Sequence, residues 1–163
     1  MKKIAYINEK IKEYNKKIYI PGDKSLSIRF VLIASQAIGK SIAYNLLKSE
    51  DVMSALRAIK KLGINYKINK KNCKIYGKGL GGFSFKKNTT IDAGNSGTLA
   101  RLISGILAVQ NFDSSITGDE SLLQRPMRRI IDPLSDIGAL INSNSGRLPL
   151  AFAKSTINPI EYN

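Results

Sequence analysis

The chain has 163 residues, of which 43% are hydrophobic and 23% charged, with a formal net charge of +14 and no histidine. That length fits one domain able to bury roughly 70% of its unfolded surface. The missing histidine removes Ser-His and Cys-His nucleophile pairs and most zinc sites. The single cysteine, Cys73, excludes an internal disulfide and fits a reducing cytoplasm. No apolar run reaches the ~18–20 residues of a membrane span.

The positive charge has two readings. It suits nucleic acid, an acidic membrane surface or small anionic substrates, and it also fits drift, because the lysines are scattered among asparagine and isoleucine. The chain has no tryptophan, no RNA-recognition signature and no basic stripe interleaved with aromatics. The N-terminal MKKIAYINEKIKEYNKK lacks the apolar centre of a signal peptide.

In chain order, KIYI (17–20) is expected as a strand. Residues 25–38 form a helix closed by Gly39. SIAYNLL (41–47) alternates like a strand, and residues 52–62 form a helix with Glu50 and Asp51 at its start and Gly63 at its end. INYKIN and KIYG are two short strands about the turn at 70–72, and GKGLGG (77–82) is a loop.

The order then returns. TTID (89–92) is a strand, residues 97–109 a helix and SSITG (114–118) a strand. A helix with Pro126 in its first turn runs to about Ile137, is kinked by Pro133 and closes at Gly138. ALINS and RLPLAF are the final strands.

The halves align residue by residue. Gly22 to Arg29 matches Gly94 to Arg101 at an offset of 72, and the next helices match at an offset of 75. A βαβαββ unit is therefore used twice, about 21–88 and 89–153, an α/β (α+β) architecture. Both units put a polar, glycine-containing turn at a helix N-terminus, with an arginine one turn inside. Unpaired N–H groups and the helix dipole favour an anion there.

Ser25 and Arg29 are four apart and share a face, with Lys24 just before them. In the second unit Gly97 allows close backbone approach, Thr98 offers a hydroxyl and Arg101 lies on the same side. Convergent cations repel by roughly 4 kcal/mol at about 4 Å and an effective dielectric of 20. Asp23 is the only nearby carboxylate in the sequence, so a bound phosphate or carboxylate is the expected relief. In GDESLLQRPMRR (118–129), Arg125 is placed to reach an anion, while Arg128 and Arg129 suit a solvated face. AIGKS (37–41) is no P-loop: position 34 is alanine, and the Lys-Ser leads into a strand rather than a helix.

PGDKSLSIR (21–29), DAGNSGTLAR (92–101), GDESLLQRPM (118–127) and GRLPL (146–150), in that order, resemble the amino-terminal part of the 5-enolpyruvylshikimate-3-phosphate synthase family. The resemblance covers residues 18–163 and implies the enolpyruvyl transferase fold, in which each of two lobes is built from βαβαββ units. It implies transfer of the enolpyruvyl group of phosphoenolpyruvate to shikimate 3-phosphate, on the shikimate route to chorismate, in the cytoplasm and without a metal or other cofactor. Lys24 would touch both substrates and is the catalytic candidate. Ser25 and Arg29 would hold shikimate 3-phosphate. Gly97 and Asn95 would line the phosphoenolpyruvate site, where glyphosate also binds in this family, and Arg125 would clamp phosphoenolpyruvate, with Arg101 behind it.

Two departures stand out. Ile28 occupies a position where relatives often carry His or Asn, and relatives are much longer. The chain is therefore expected to be a fragment with an incomplete lobe, inactive alone, in which residues 1–20 belong to the other lobe. The family likeness also implies no nucleic-acid or membrane partner and a monomer at full length. The rivals are a nucleotide-sugar enolpyruvyl transferase and a basic nucleic-acid-binding domain.

Overall fold

The computed structural model describes residues 6, 10, 13, 15–84 and 89–159. Most of the basic N-terminal stretch, and the FKKN segment at the expected boundary between units, lie outside those residues. Helix α1 (Lys24–Gln36) starts where the Asp23 carboxylate accepts the Leu26 N–H at 2.7 Å, an N-cap worth about 1 kcal/mol. Strand β1 (Ile38–Tyr44), helix α2 (Glu50–Lys61) and strands β2 (Asn65–Ile68) and β3 (Asn72–Lys78) follow. The second half runs β4 (Thr89–Asp92), α3 (Gly97–Ala108), β5 (Ser114–Thr117), α4 (Glu120–Leu123), α5 (Arg128–Asp136), β6 (Leu140–Asn144) and β7 (Arg147–Ala153).

The two sheets repeat one order. The first is β1-β3-β2 and antiparallel; the second is β4-β5-β7-β6, with β4 and β5 parallel and the rest antiparallel. Removing β4 leaves β5-β7-β6, the counterpart of β1-β3-β2. The duplicated α/β unit is thus present, short of one strand in its first copy among the described residues.

That strand was expected at residues 17–20. The segment is irregular and exposed there, tied down by the Asn45 side-chain amide donating to the Ile20 carbonyl at 3.1 Å. Alternation of apolar residues cannot make a strand without a neighbouring ladder.

Alternation does set burial in β7, where Leu148, Leu150 and Phe152 are buried and Arg147, Pro149 and Ala151 face outward. Helices α1 and α2 cover the first sheet, α3 to α5 the second, and α1 and α2 pack on α3. One continuous core results, including Ile28, Leu56, Ile59, Ile75, Ile91, Leu99, Ile103, Ile116 and Phe152. Each such side chain contributes about 1.5–3 kcal/mol. Ile28, at the position where the resemblance leads one to expect His or Asn, is fully buried and places an apolar side chain in the core.

Two boundaries differ from expectation. Helix α1 ends at Gln36, and Gly39 lies inside β1 instead of closing the helix. Pro126 precedes α5 rather than opening it. A short α4, capped by Asp119, intervenes, and the Met127 N–H donates to the Gly146 carbonyl at 2.8 Å while its side chain is fully buried. That anchor delays the next helix to Arg128.

Gly39 pairs with Gly77 beneath the end of α1. A Cβ on Gly77 would stand 2.2 Å from the Ala37 carbonyl oxygen and 2.3 Å from that of Ala34. A Cβ on Gly39, at φ +92, would touch nothing. Gly77→Ala is therefore expected to cost about 3 kcal/mol by forcing backbone apart, and Gly39→Ala about 1 kcal/mol through its dihedral alone. Urea unfolding of the two variants checks the ranking, and equal losses would contradict it.

Candidate functional site

Parallel β4 and β5 end side by side. The Ala93 N–H donates to the Thr117 carbonyl at 2.9 Å, and the Asp119 N–H to the Gly94 carbonyl at 2.9 Å. The ladder thus continues into two loops, which open α3 and α4. In open α/β sheets ligands collect beyond such carboxyl ends.

Ser96 caps α3, its hydroxyl accepting the Leu99 N–H at 3.2 Å, and Gly97 is the helix's first residue. Arg101 folds back over that turn. Its Nη1 donates to the Gly97 carbonyl at 3.2 Å and its Nη2 to the Pro126 carbonyl at 3.1 Å. Arg125 arrives from beyond α4, its Nη2 donating to Asn95 Oδ1. A Cβ built on Gly97 would lie 2.7 Å from Arg101 Nη1 and 3.2 Å from Arg125 Nη1. Two guanidinium groups therefore meet over the one residue that leaves room for them.

The first unit repeats the device. Arg29 Nη1 donates to the Ser25 carbonyl at 3.3 Å, the same four-residue return that Arg101 makes to Gly97. The shared face anticipated for Ser25 and Arg29 is present, with the serine carbonyl rather than its hydroxyl as acceptor. Lys24 behaves differently. Its Nζ lies 3.1 Å from Asp51 Oδ2, and the lysine side chain is half exposed while the aspartate is 23% exposed. The sequence offered only Asp23 as a counter-charge, and Asp23 is occupied as a helix cap; the actual partner comes from the start of α2.

Helix α2 also joins the two clusters. Its buried Ser54 lies one turn past Asp51, with its hydroxyl 3.1 Å from where a Gly94 Cβ would stand. Ser54 Oγ accepts from Arg57 Nη2 at 2.8 Å, and Arg57 also pairs with Glu50 at 3.2 Å. The Lys24–Asp51 pair and the Gly94–Asn95 loop thus flank the N-terminal half of α2.

The structure therefore groups Asn95, Gly97, Arg101 and Arg125 in one cluster and Lys24, Ser25 and Arg29 at the start of α1. Arg128 lies apart, its side chain along the Gly146 turn. A cavity of about 610 Å³ lies against the second sheet, and its lining has no lysine or arginine. It is unsuited to an anion.

Asp119 joins the cluster unanticipated. One carboxylate oxygen caps α4 by accepting the Leu122 N–H at 2.8 Å, and the other accepts from Asn95 Nδ2 at 2.6 Å. The Asn95 hydrogen bond, followed by the backbone bond from Leu122, holds the carboxyl below its usual pKa, with the Arg125 charge adding to the effect.

Helix N-termini loaded with anchored cations, repeated in two linked α/β units, agree with the enolpyruvyl-transferase-type lobe that the motifs resemble. A protein-family model for EPSP synthase (3-phosphoshikimate 1-carboxyvinyltransferase) matches residues 8–163, and the chain belongs to that family. It is 48% identical over 145 residues to the 3-phosphoshikimate 1-carboxyvinyltransferase of Ruthia magnifica subsp. Calyptogena magnifica, covering 88% of this chain and 33% of that protein. Against the Syntrophomonas wolfei protein of the same name it is 40% identical over 158 residues, covering 96% of this chain and 37% of the other. The solved EPSP synthase of Acinetobacter baumannii superposes with a TM-score of 0.84 at 36% identity, over 90% of this chain and 34% of that one. The chain spans about a third of the length of these relatives.

Two outcomes test this geometry. Gly97→Ala is expected to leave the thermal midpoint within a few degrees, because its Cβ crowds only the far ends of two long side chains and meets Leu122 Cδ1 at an ordinary 3.7 Å, and to separate those guanidinium groups. Arginine Nε–H resonances of the labelled chain report the separation; a collapsed fold would contradict it. For Asp119, a lowered folded-state pKa means a contribution present above the ordinary carboxylate range, near 3.9, and lost as pH falls through the lowered value. Asp119→Ala should flatten the acid limb of the stability curve below about pH 4, read from urea midpoints at stepped pH. An unchanged acid limb would show that the native carboxyl titrates normally.

Proposed function

We propose that this chain supplies substrate-binding groups for transfer of the enolpyruvyl group of phosphoenolpyruvate to the 5-hydroxyl of shikimate 3-phosphate. In that reaction the hydroxyl oxygen gains a bond to the enolpyruvyl carbon, the bond to phosphate breaks, and phosphate leaves. The hydroxyl proton must pass to a base; within this chain, which has no histidine, the candidates are a carboxylate, a lysine or a tyrosine, with the substrate's own phosphate as the alternative.

The observation that carries this reading is the meeting of Arg101 and Arg125 over Gly97 at the start of α3, with Arg29 in the equivalent place on α1. Both substrates bear a phosphate and a carboxylate. Charge-assisted hydrogen bonds to such groups are roughly twice as strong as neutral ones. Arg101 and Arg125, with Asn95, receive phosphoenolpyruvate. Ser25 and Arg29 receive shikimate 3-phosphate, and Lys24, held at the junction by Asp51, meets both.

The units extend over about 21–88 and 89–153, with residues 1–20 belonging to the other lobe. The chain acts as a monomer within its full-length form, in the cytoplasm, with no nucleic-acid partner. The family membership and the 90–96% coverage of this chain by relatives bearing the synthase name support the assignment.

Titration of the full 163-residue chain tests it. Phosphoenolpyruvate is expected to perturb amide signals of residues 95–101, and Arg125→Ala to weaken it at least tenfold, the loss of one charge-assisted contact of about 1.5–3 kcal/mol. Arg29→Ala should weaken shikimate 3-phosphate and spare phosphoenolpyruvate. A phosphate-release assay with the chain alone should stay at blank. Preference for a nucleotide sugar, or steeply salt-dependent binding of DNA with neither substrate bound, would overturn the reading.

A further inference from the structure

We propose that Asp119 is a positioning residue: its carboxylate fixes which way the Asn95 amide faces and thereby aims the Arg125 guanidinium over Gly97. The consequence for substrate rests on the anion-site reading above; the relay itself rests on geometry alone.

An asparagine side chain is nearly symmetric in shape and opposite in function at its two ends, one an acceptor and one a donor. Asn95 is exposed, so burial does not choose between its two orientations. The flanking groups do. An ionised carboxylate only accepts and a guanidinium only donates. With Asp119 on one side and Arg125 on the other, a single orientation satisfies both: Nδ2 toward Asp119 Oδ2, Oδ1 toward Arg125 Nη2.

Asp119 cannot swing away easily. Its other oxygen caps α4 and its N–H is bonded to the Gly94 carbonyl. The loop carrying Asn95 and the loop carrying Asp119 are thus held at fixed separation, and the relay is rigid at its acidic end. At its basic end, Arg125 has Nη2 engaged while Nη1 stands over Gly97 beside Arg101. Without an acceptor behind it, repulsion from Arg101 would drive Arg125 into solvent. The lowered pKa of Asp119, caused first by the Asn95 hydrogen bond, agrees with a carboxylate held charged by this arrangement.

Asp119→Asn isolates the relay from the helix cap. Asparagine caps a helix as well as aspartate does, so α4 keeps its start. The second side-chain atom becomes an NH₂ donor, and a donor then faces Asn95 Nδ2. The Asn95 amide turns, presents a donor to Arg125, and releases it. Asp119→Ser, another good cap, removes the second acceptor and should release Arg125 by the other route.

In the isotope-labelled 163-residue chain, both variants are expected to shift the Asn95 side-chain amide and Arg125 Nε–H resonances while circular dichroism stays unchanged. Phosphoenolpyruvate affinity should fall about tenfold, with shikimate 3-phosphate affinity unchanged. The double exchange Asn95→Asp with Asp119→Asn puts donor and acceptor back in complementary order, and the Arg125 resonance should return. Unmoved Asn95 and Arg125 resonances in Asp119→Asn, or no recovery in the double exchange, would overturn the proposal. If the resonances behave as expected but the unaltered chain does not bind phosphoenolpyruvate, the relay stands and the substrate assignment fails.

Discussion

The parallel pairing of β4 with β5 is the constraint on which the site depends. Parallel strands need a crossover, and here α3 provides it, so both strands end on the same edge with a helix beginning beyond each. Two backbone hydrogen bonds past the last strand residues hold the loops together. Gly94 accepts one of them and takes φ +57 to do so. From that junction follow the starting points of α3 and α4, the contact between Asn95 and Asp119, and the place where Arg125 can approach Gly97.

Much of this was legible because duplication doubles the signal. An arginine four residues after a small polar residue means little once; at the same offset of 72 as its neighbours, it marks a repeated device. Arg29 and Arg101 make the same return to the carbonyl four residues back. The sheets followed for similar reasons: the apolar pattern of residues 147–153 and the turn expected at 70–72 mark the strands about them, although the turn begins one residue earlier, at Asn69, whose side chain accepts the N–H groups of Lys71 and Asn72.

What escaped the sequence are the long-range partners. Asp51 reads as an acid favouring the start of a helix, which it also is; that it faces Lys24, 27 positions earlier, follows only from the packing of α1 on α2. Asp119 caps α4, a helix not expected from the sequence, and its second oxygen is taken by a residue 24 positions away. One local motif conceals a second role whenever a side chain has two acceptors and local rules account for one. The expected strand at 17–20 failed differently: its pattern was sound, but no ladder lies beside it among the described residues. Pro126 was assigned by a local preference that the buried Met127 overrode.

The manner in which the cations are held bears on what they can do. Arg29 and Arg101 are anchored by main-chain carbonyls, and Arg125 by an amide oxygen. These neutral acceptors fix direction without cancelling charge, so the field over Gly97 remains positive. Had Asp119 paired with Arg125 directly, the site would be oriented but largely neutralised, and an incoming anion would first have to displace a carboxylate. Interposing Asn95 moves the negative charge one side chain back, where attraction is weaker and water screens it, while the hydrogen-bond chain still transmits the orientation. Lys24 is the exception, paired directly with a carboxylate. That contrast divides the cluster by physics: arginines whose acceptors leave their charge uncancelled, and one lysine whose charge is already answered by Asp51.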